Sequence, residues 1–264
     1  MAALPRLAER RRYFRAALRF AAAARSVVRR KLTTGFATRL KADASFVTDA
    51  DLAVERTLRA AIHRAFPDHG VLGEELPPLH GGAEFQWILD PIDGTLSFTH
   101  GIPFFGTIIG LHFRGRPLVG VIDHAGLGTR YGAAAGLGAW RDGRRLRIRD
   151  VPRSAIRHEV ISVGDRSRFR QCRRAGAFDR LMRVHPQVRG YMDCIGHTLA
   201  AEGAVGAAVD YGLRLWDIAA TQVLIEEAGG RFVCAHESRR HGLPYYGIIC
   251  GKPTVVRWLE RLFA

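Results

Sequence analysis

A short apolar strand that runs directly into two carboxylates is the feature that most restricts how this chain can fold. Residues 86–89 have the apolar pattern of a buried strand, and Asp90-Pro91-Ile92-Asp93-Gly94-Thr95 follows at once. Pro91 fixes one backbone angle, and Gly94 permits a close backbone approach. Acidic oxygens at the end of a core strand suit a hard divalent cation such as Mg²⁺. A solvated Pro/Asp/Gly turn is the alternative interpretation.

Acidic residues upstream, at Glu74-Glu75 and at Asp51, make the solvated-turn interpretation less favoured. Glu74 and Glu75 follow an apolar pair and a glycine, so a second strand end presents carboxylates. Taken alone, they would be read as an exposed acidic loop. Asp51 belongs to Thr48-Asp49-Ala50-Asp51, which has the form of a capping box at the start of a helix spanning about residues 49–66. Its simpler explanation is the third helical residue of that box.

A further aspartate lies far downstream. Asp217 follows Trp216 at the start of a helical pattern that runs to Ala228 and stops at Gly229-Gly230. A plain helix N-cap explains Asp217 equally simply when it is considered alone.

Together the four elements form a recognisable order: Asp51, Glu74-Glu75, Asp90-Pro91-Ile92-Asp93-Gly94-Thr95, and Trp216-Asp217-Ile218-Ala219-Ala220. This order resembles the inositol monophosphatase family, a superfamily of lithium-sensitive, magnesium-dependent phosphatases. The signature elements of that family are an upstream Asp, Glu-Glu, Asp-Pro-Ile-Asp-Gly-Thr and Trp-Asp-x-x-Ala. All are present without substitution, and the likeness covers roughly residues 35 to 250.

The resemblance implies a ligand set for two or three Mg²⁺ ions. One ion is expected on Glu74, Asp90 and the carbonyl of Ile92, a second on Asp90, Asp93 and Asp217, and a weaker third near Glu74. Such ions invert the charge of an acidic pocket that would otherwise repel a phosphate monoester.

The resemblance also implies that water attacks phosphorus directly, with no covalent intermediate. Thr95 and Asp51 are expected to orient or deprotonate that water, with Glu74 assisting. The backbone N–H groups of Gly94 and Thr95 are expected to hold phosphate oxygens, and Asp93 is expected to contact the substrate. Lys41 matches a lysine of the family, although an exposed surface lysine is an equally good reading.

Substrate choice rests on weaker signals. Asp210 stands where inositol phosphatases carry a Glu that contacts substrate hydroxyls, and the shorter side chain argues against inositol 1-phosphate. Stretches at residues 97–98, 101–110 and 120–123 look like the histidinol-phosphate phosphatase branch. Asp193, His197 and Arg214 are candidates for the leaving-group pocket, with a plain helix-surface reading as the alternative for each.

We therefore predict Mg²⁺-dependent hydrolysis of a small phosphorylated metabolite, of the inositol 1-phosphate or histidinol phosphate type. Fructose 1,6-bisphosphate and 3′-phosphoadenosine nucleotides are alternative substrates within the superfamily. A homodimer and lithium inhibition are expected from the family alone.

The charge of the chain leaves a different class of function open. The 264 residues include 40 Lys+Arg and 25 Asp+Glu, a formal net charge of +15, and only Lys31, Lys41 and Lys252 are lysines. A basic nucleic-acid-binding protein that keeps an enzyme core is therefore the alternative function. The arginines are scattered from Arg6 to Arg261, which favours a compositional preference over one binding stripe, so a nucleic-acid partner is not expected.

The first residues bear on location. Residues 5–30 have apolar positions at helical spacing with arginines on the other face, which predicts an amphipathic helix packed on the body. A membrane-surface helix or a presequence remains open, since Glu9 is the only acid among the first 42 residues. No apolar run approaches the ~20 residues of a membrane span. The four cysteines show no zinc or disulfide pattern, and a cytoplasmic protein is expected.

Strand signals gather in the middle of the chain. Runs at residues 104–113 and 117–122 flank a hairpin turn, and residues 141–144 form a second turn. This pattern predicts layered sheets and helices with a soft division near Asp150. The resemblance implies an α+β fold, a layered α-β-α-β-α sandwich in one compact catalytic domain. Residues 1–150 would form the metal-binding lobe, and residues 151–264 a smaller α/β lobe that contributes Asp217.

Overall fold

The structure is a computed structural model that describes residues 4–41, 46–240 and 243–263. Its helices are α1 (Leu7–Thr34), α2 (Asp49–Ala65), α3 (Thr95–Thr99), α4 (Arg166–Gln171), α5 (Ala175–Val184), α6 (Asp193–Glu202), α7 (Leu215–Ile218), α8 (Thr221–Glu227) and α9 (Pro253–Phe263), with a 3-10 helix at Arg153–His158. Its strands are β1 (Thr38–Leu40), β2 (Phe46–Thr48), β3 (Gly70–Gly73), β4 (Phe85–Asp93), β5 (Gly106–Phe113), β6 (Arg116–His124), β7 (Thr129–Ala134), β8 (Gly138–Arg141), β9 (Arg144–Arg145), β10 (Ile161–Val163), β11 (Val188–Arg189), β12 (Ala207–Leu213), β13 (Arg231–Arg240) and β14 (Leu243–Gly251).

Two sheets form the frame of the molecule. The larger has seven strands in the order β3-β4-β5-β6-β7-β8-β9, and every pair is antiparallel except β3 with β4. The smaller has five strands in the order β11-β10-β12-β14-β13. A separate antiparallel pair joins β1 to β2. Residue 150 lies between the last strand of the larger sheet and the first of the smaller, and the division into two lobes there stays a prediction.

Three apolar cores separate five layers. The first packs α1 and α2 on one face of the larger sheet. The second lies between the two sheets and holds α6, α7 and α8. The third packs α4, α5 and α9 on the outer face of the smaller sheet. The predicted α-β-α-β-α layering is therefore present.

The first helix packs on the body, as its pattern predicts. One face of α1 is buried, including Tyr13, Phe20, Val27 and several alanines. The helix runs four residues further than predicted, to Thr34. No helix in the described part of the chain combines the length and apolar character needed to span a membrane.

Two predicted elements differ from the structure. The segment from Trp216 to Ala228 is not one helix, because α7 ends at Ile218 and α8 begins at Thr221. The turn expected to begin at Asp90 is instead strand, since β4 continues through Asp93 and the chain turns at Gly94, whose φ is +83°. Both differences affect the positions of aspartates, which are described below: Asp90 and Asp93 on β4, and Asp217 on α7.

Candidate active site

A bulge in β4 turns two aspartates toward one side of the sheet. Residues three apart on a regular strand point to opposite faces. Asp90 pairs with Ile108 of β5 and Asp93 pairs with Gly106, so three steps on β4 match two steps on β5. The extra residue is a β-bulge, which re-aims the side chain beyond it. Pro91 within the bulge has no N–H to donate to the ladder, and its carbonyl accepts from Thr107 Oγ1 at 2.8 Å.

The third aspartate, Asp217, lies on α7, just before the chain breaks between α7 and α8. Gly110 and Gly120 are paired across β5 and β6, and the backbone at Ala219 and Ala220 lies against them. The carbonyl of Ala219 is 3.1 Å from Nε2 of His112, also on β5. Because the sheet contacts this backbone directly, the chain bends there, and α7 presents Asp217 at its own first turn.

These elements bring Asp90, Asp93 and Asp217 together. One carboxylate oxygen from each lies within 4.8 Å of the others. Burial raises the pKa of Asp90 and Asp93 well above the usual range, and neighbouring carboxylates raise both further. Burial also raises the pKa of Asp217 to about 6, against the opposing attraction of Arg168. Packing like charges this closely disfavours the ionised forms unless a cation binds between them.

Two members of this group accept hydrogen bonds from the backbone. Cys194 N donates to Asp93 Oδ2 at 2.5 Å, and Arg214 N donates to Asp217 Oδ2 at 2.8 Å. The N-cap expected at Asp217 is instead Arg214, and Asp217 is the third helical residue, whose carboxylate accepts from the N-cap backbone. Asp90 Oδ1 is buried and has no hydrogen-bond partner among the described residues.

Asp51 is the buried third residue of the predicted capping box. Its Oδ2 accepts from the N–H of Thr48 at 2.8 Å and from the Thr48 hydroxyl at 2.6 Å. Burial raises the pKa of Asp51 to about 6, with Glu74 adding to the effect and the Thr48 bonds opposing it. Its Oδ1 is buried without a hydrogen-bond partner in the described ranges. One oxygen is therefore committed to the fold, while the other remains open to chemistry.

The two glutamates follow β3, as predicted, and both bind Lys41. The Nζ of Lys41 donates to Glu74 Oε1 at 2.8 Å and to Glu75 Oε1 at 2.6 Å. Glu74 lies outside the three-carboxylate group, although its charge raises the pKa of Asp90. Lys41 is thus not a free surface lysine.

Glu55 holds the loop that carries these glutamates, and sequence reasoning missed it. It is fully buried on α2, one turn beyond Asp51. Its carboxylate accepts from Glu75 N at 2.8 Å and from Leu76 N at 3.2 Å, and it pairs with Arg59. The pairing of Glu55 with Arg59 four residues on was a visible signal, but it is typical of any exposed helix face.

Thr95 and Ile92 meet beside the bulge. The Thr95 hydroxyl donates to the carbonyl of Ile92 at 3.0 Å. Gly94 caps α3 in the left-handed conformation, and a Cβ there would lie 2.9 Å from the carbonyl oxygen of Phe104. The glycine is therefore required by both its φ and its surroundings.

A second set of charges adjoins Asp93. Asp193 is half-buried and has a φ of +57°, a conformation that a non-glycine residue rarely adopts. Burial raises the pKa of Asp193, and burial raises that of Asp210 to about 7, with Arg168 lowering both. Gly164 admits Asp210, since a Cβ there would lie 2.0 Å from its Oδ1.

Arg168 is the second residue that the sequence analysis missed. Burial disfavours its charged form, but the carboxylates of Asp210, Asp217, Asp193 and Asp93 outweigh burial and raise its pKa. Among 37 arginines nothing local marks Arg168, because its role arises only when α4, α6, β12 and α7 meet.

Two other candidates are engaged elsewhere. The guanidinium of Arg214 lies 3.8 Å from the ring centroid of Tyr245 and donates to the carbonyl of Pro244 at 3.3 Å. His197 is buried on α6, with Nδ1 3.2 Å from the Thr221 hydroxyl, and burial lowers its pKa to about 4.

The donor set fits a metal centre. It consists of carboxylate oxygens with one buried oxygen of Asp90 left unpartnered in the described chain, and hard divalent cations prefer such ligands. Comparison with known proteins agrees with a metal-dependent phosphatase family. Residues 9–261 match the profile of the inositol monophosphatase family.

Relatives and solved structures extend that match. The chain is 37% identical over 190 residues to a histidinol-phosphatase of Chlorobaculum parvum, covering 72% of this chain and 73% of the relative. It is 39% identical over 194 residues to a histidinol-phosphatase of Mycobacterium tuberculosis, covering 72% and 75%. An inositol monophosphatase structure from Anabaena superposes with a TM-score of 0.81 at 28% identity, covering 96% of this chain and 95% of that one. The layered fold is that of these structures.

Proposed function

Because the chain belongs to the inositol monophosphatase family, we propose that it is a Mg²⁺-dependent phosphatase of a small metabolite of the histidinol phosphate type. The observation that carries the proposal is the group of buried Asp90 and Asp93 with half-buried Asp217. A phosphatase of this family needs cations at such a point, because a phosphate monoester would otherwise be repelled by the carboxylates.

In this proposal two or three Mg²⁺ ions would bind at this group. Their ligands would be Asp90, Asp93, Asp217, Glu74 and the carbonyl of Ile92. The bound ions supply positive charge for the phosphate oxygens and acidify a water molecule. Lys41, which donates to Glu74 and Glu75, holds both carboxylates in place.

The chain's own groups then handle the proton. The unpartnered Oδ1 of buried Asp51 is placed to accept it, while the bonds from Thr48 hold the other oxygen fixed. Thr95 orients the attacking water through its hydroxyl, with Glu74 assisting. The N–H groups of Gly94 and Thr95 hold phosphate oxygens. Water attacks phosphorus directly, and no side chain forms a covalent intermediate.

The charges beside Asp93 support an amine-bearing leaving group. Histidinol phosphate carries a primary ammonium, whereas inositol carries only neutral hydroxyls. Asp193 and Asp210 contribute two carboxylates against the single guanidinium of Arg168; Asp210 is buried and Asp193 is half-buried. Buried carboxylates bind an ammonium more strongly than a hydroxyl, since charge-assisted hydrogen bonds are about twice as strong as neutral ones. We assign Asp210 and Asp193 to the substrate amine, with Arg168 positioning both.

A substrate panel tests this proposal. We would measure kcat/KM with Mg²⁺ and with EDTA for histidinol phosphate, inositol 1-phosphate, fructose 1,6-bisphosphate and 3′-phosphoadenosine phosphate. We expect histidinol phosphate to be preferred and EDTA to abolish all activity. Preference for inositol 1-phosphate would contradict the assignment of Asp210 and Asp193 to the substrate amine. Preference for the bisphosphate would also contradict it, and would indicate that Arg168 binds the second phosphate.

The variant Asp210→Asn sharpens the test. Loss of one charge-assisted bond lowers kcat/KM for histidinol phosphate by about 10- to 100-fold. A substrate with a neutral leaving group, such as glycerol phosphate, should change far less, so it serves as the internal control. An equal loss for both substrates would mean that Asp210 supports the fold of the site and does not read the amine.

We also propose a homodimer, supported by exposed apolar side chains near the site. Ile102, Phe104 and Leu127 are 44–46% exposed, and the turn at Gly126 contacts Pro103. Light scattering should give twice the chain mass for the wild type and the mass of a single chain for the Phe104→Asp variant. A monomeric wild-type protein would contradict this proposal.

A further inference from the structure

The outward face of α1 carries a row of arginines that the sequence alone does not group. Arg11, Arg15, Arg19, Arg29 and Arg30 are all exposed. At 3.6 residues per turn they fall within an arc of about 100° around the helix axis. At a rise of 1.5 Å per residue the row is about 28 Å long. We call these five residues the arginine face.

The arginine face lacks the partners that occupy the other cations of the helix. Arg25 binds Asp123 at 2.8 Å, Lys31 binds Asp49 at 2.6 Å, and Arg12 lies over the ring of Phe66. Within residues 4–41, 46–240 and 243–263, no ion pair involves any of the five. The one acid of α1, Glu9, lies outside the arc and accepts from Arg6 N. The face is therefore uncompensated positive charge.

Its surroundings favour an ionic partner over lipid. The apolar side of α1 is already packed in the core, so it cannot enter a bilayer without unfolding the first layer. Between the arginines the helix exposes Ala22 and Ser26, which are small. Exposed leucines occur only at its ends, at Leu7 with 42% exposure and at Leu32 with 41%.

The shape of the face suits an extended anion. Leu7, Ala8, Arg11, Arg12, Arg15 and Arg19 line an open groove of about 660 Å³ along the helix. Arginines four residues apart are separated by about 6 Å along the axis. One strand of a duplex carries a phosphate every ~3.4 Å of its axis, so about eight phosphates fall within the length of the row, and the five arginines can contact those that face the helix. A single small metabolite cannot span the row.

We propose that the arginine face of α1 binds the phosphate backbone of a nucleic acid. The overall scatter of arginine in the sequence argued against a binding stripe, but the helix gathers five of these residues on one side. The face contributes no residue to the carboxylate group of the candidate active site. The proposal is therefore independent of the proposed phosphatase function.

Salt dependence of binding tests the proposal. We would measure anisotropy of a labelled single-stranded RNA, a duplex RNA and a duplex DNA with the full chain from roughly 50 to 200 mM salt. The test variant is Arg11→Gln/Arg15→Gln/Arg19→Gln. The control is Arg153→Gln/Arg157→Gln/Arg183→Gln, which removes the same charge from exposed sites elsewhere.

The expected result is a change of slope specific to α1. The test variant should reduce the slope of log K against log salt by about two on a single strand and about three on a duplex. The control should leave the slope within about 0.5, since only contacted charges release counterions. Phosphate-monoester hydrolysis and the unfolding midpoint serve as folding controls and should match wild type in both variants.

Three results would overturn the proposal. One is absence of nucleic-acid binding by the wild type at the lowest salt. Another is an equal loss of slope in the test and control variants, which would indicate attraction by net charge alone. The third is binding to vesicles with anionic lipid that depends on the three arginines while nucleic-acid binding does not. The relative affinities for the three probes identify which nucleic acid the face prefers.

Discussion

Gly110→Ala is the sharpest test of how the fold places Asp217. Gly110 lies on β5 opposite Gly120 on β6, and the bend between α7 and α8 rests on this pair. Asp217 is two residues before Ala219, which makes the contact. A methyl group at Gly110 therefore pushes on the backbone that positions a carboxylate of the three-residue group.

The magnitude follows from the distances. A Cβ at Gly110 would lie 2.6 Å from the carbonyl oxygen of Ala219 and 2.7 Å from its Cβ. Non-bonded carbon atoms prefer about 3.5–4.0 Å, so the bend must move by about 1 Å. Such overpacking costs about 1–3 kcal/mol, and loss of the His112 bond to Ala219 adds about 1 kcal/mol. We expect the unfolding free energy to fall by about 2–4 kcal/mol.

Two measurements check the prediction. Urea unfolding gives the loss of stability, and the Mg²⁺ concentration for half-maximal activity reports the position of Asp217. The control is Gly176→Ala on α5, where a Cβ meets nothing within 4 Å. Because alanine favours a helix, that variant should gain about 0.5–1 kcal/mol and keep the same Mg²⁺ requirement.

Two outcomes would contradict this prediction in different ways. A Gly110→Ala protein with wild-type stability would mean that the sheet and the bend are not in tight contact. A destabilised protein with an unchanged Mg²⁺ requirement would mean that the contact supports the fold without positioning Asp217.

Two further predictions concern buried charge. Asp93→Asn removes one of three adjacent carboxylates, two of them buried, so Tm should rise in EDTA while the stabilisation by Mg²⁺ and the activity are lost. A variant that Mg²⁺ stabilises as it does wild type would contradict the ligand assignment. His197 has a pKa lowered by burial from 6.5 to about 4, so the unfolded chain binds its proton first as pH falls. Stability should therefore drop by about 3 kcal/mol between about pH 6.5 and pH 4. His197→Gln should remove that drop in acid unfolding curves, the exposed His158→Gln should keep it, and equal curves for all three proteins would refute the assignment.

Local features of the site are predictable from the sequence because neighbouring residues make them. Thr48 and Asp51 form the capping box within one turn of helix, and the predicted hydrogen bonds are present. Glu74 and Glu75 follow their strand as predicted. In each case the interaction spans a few residues, so the residue types and their spacing contain the necessary information.

Features made by distant residues escaped prediction. The turn expected at Asp90 is a bulge, because β5 imposes a register that neighbours in the chain do not encode. The helix expected from Trp216 breaks at Ala219, because two glycines of the larger sheet lie beneath it. Arg168 gains its role only from carboxylates that lie 25 to 75 positions away in the chain.

The net charge of +15 is another property whose meaning depends on the fold. A sum over the chain mixes buried carboxylates, which the fold concentrates between the sheets, with arginines that it leaves on the outer layer. Burial strengthens the interactions of the first group, whereas solvent and salt weaken those of the second. The few acids of the site therefore dominate its chemistry despite the basic excess, and the arginine face acts only on partners that touch it. Function follows from where the charges lie, which is why the same excess is compatible with both a cation-binding site and an anion-binding surface.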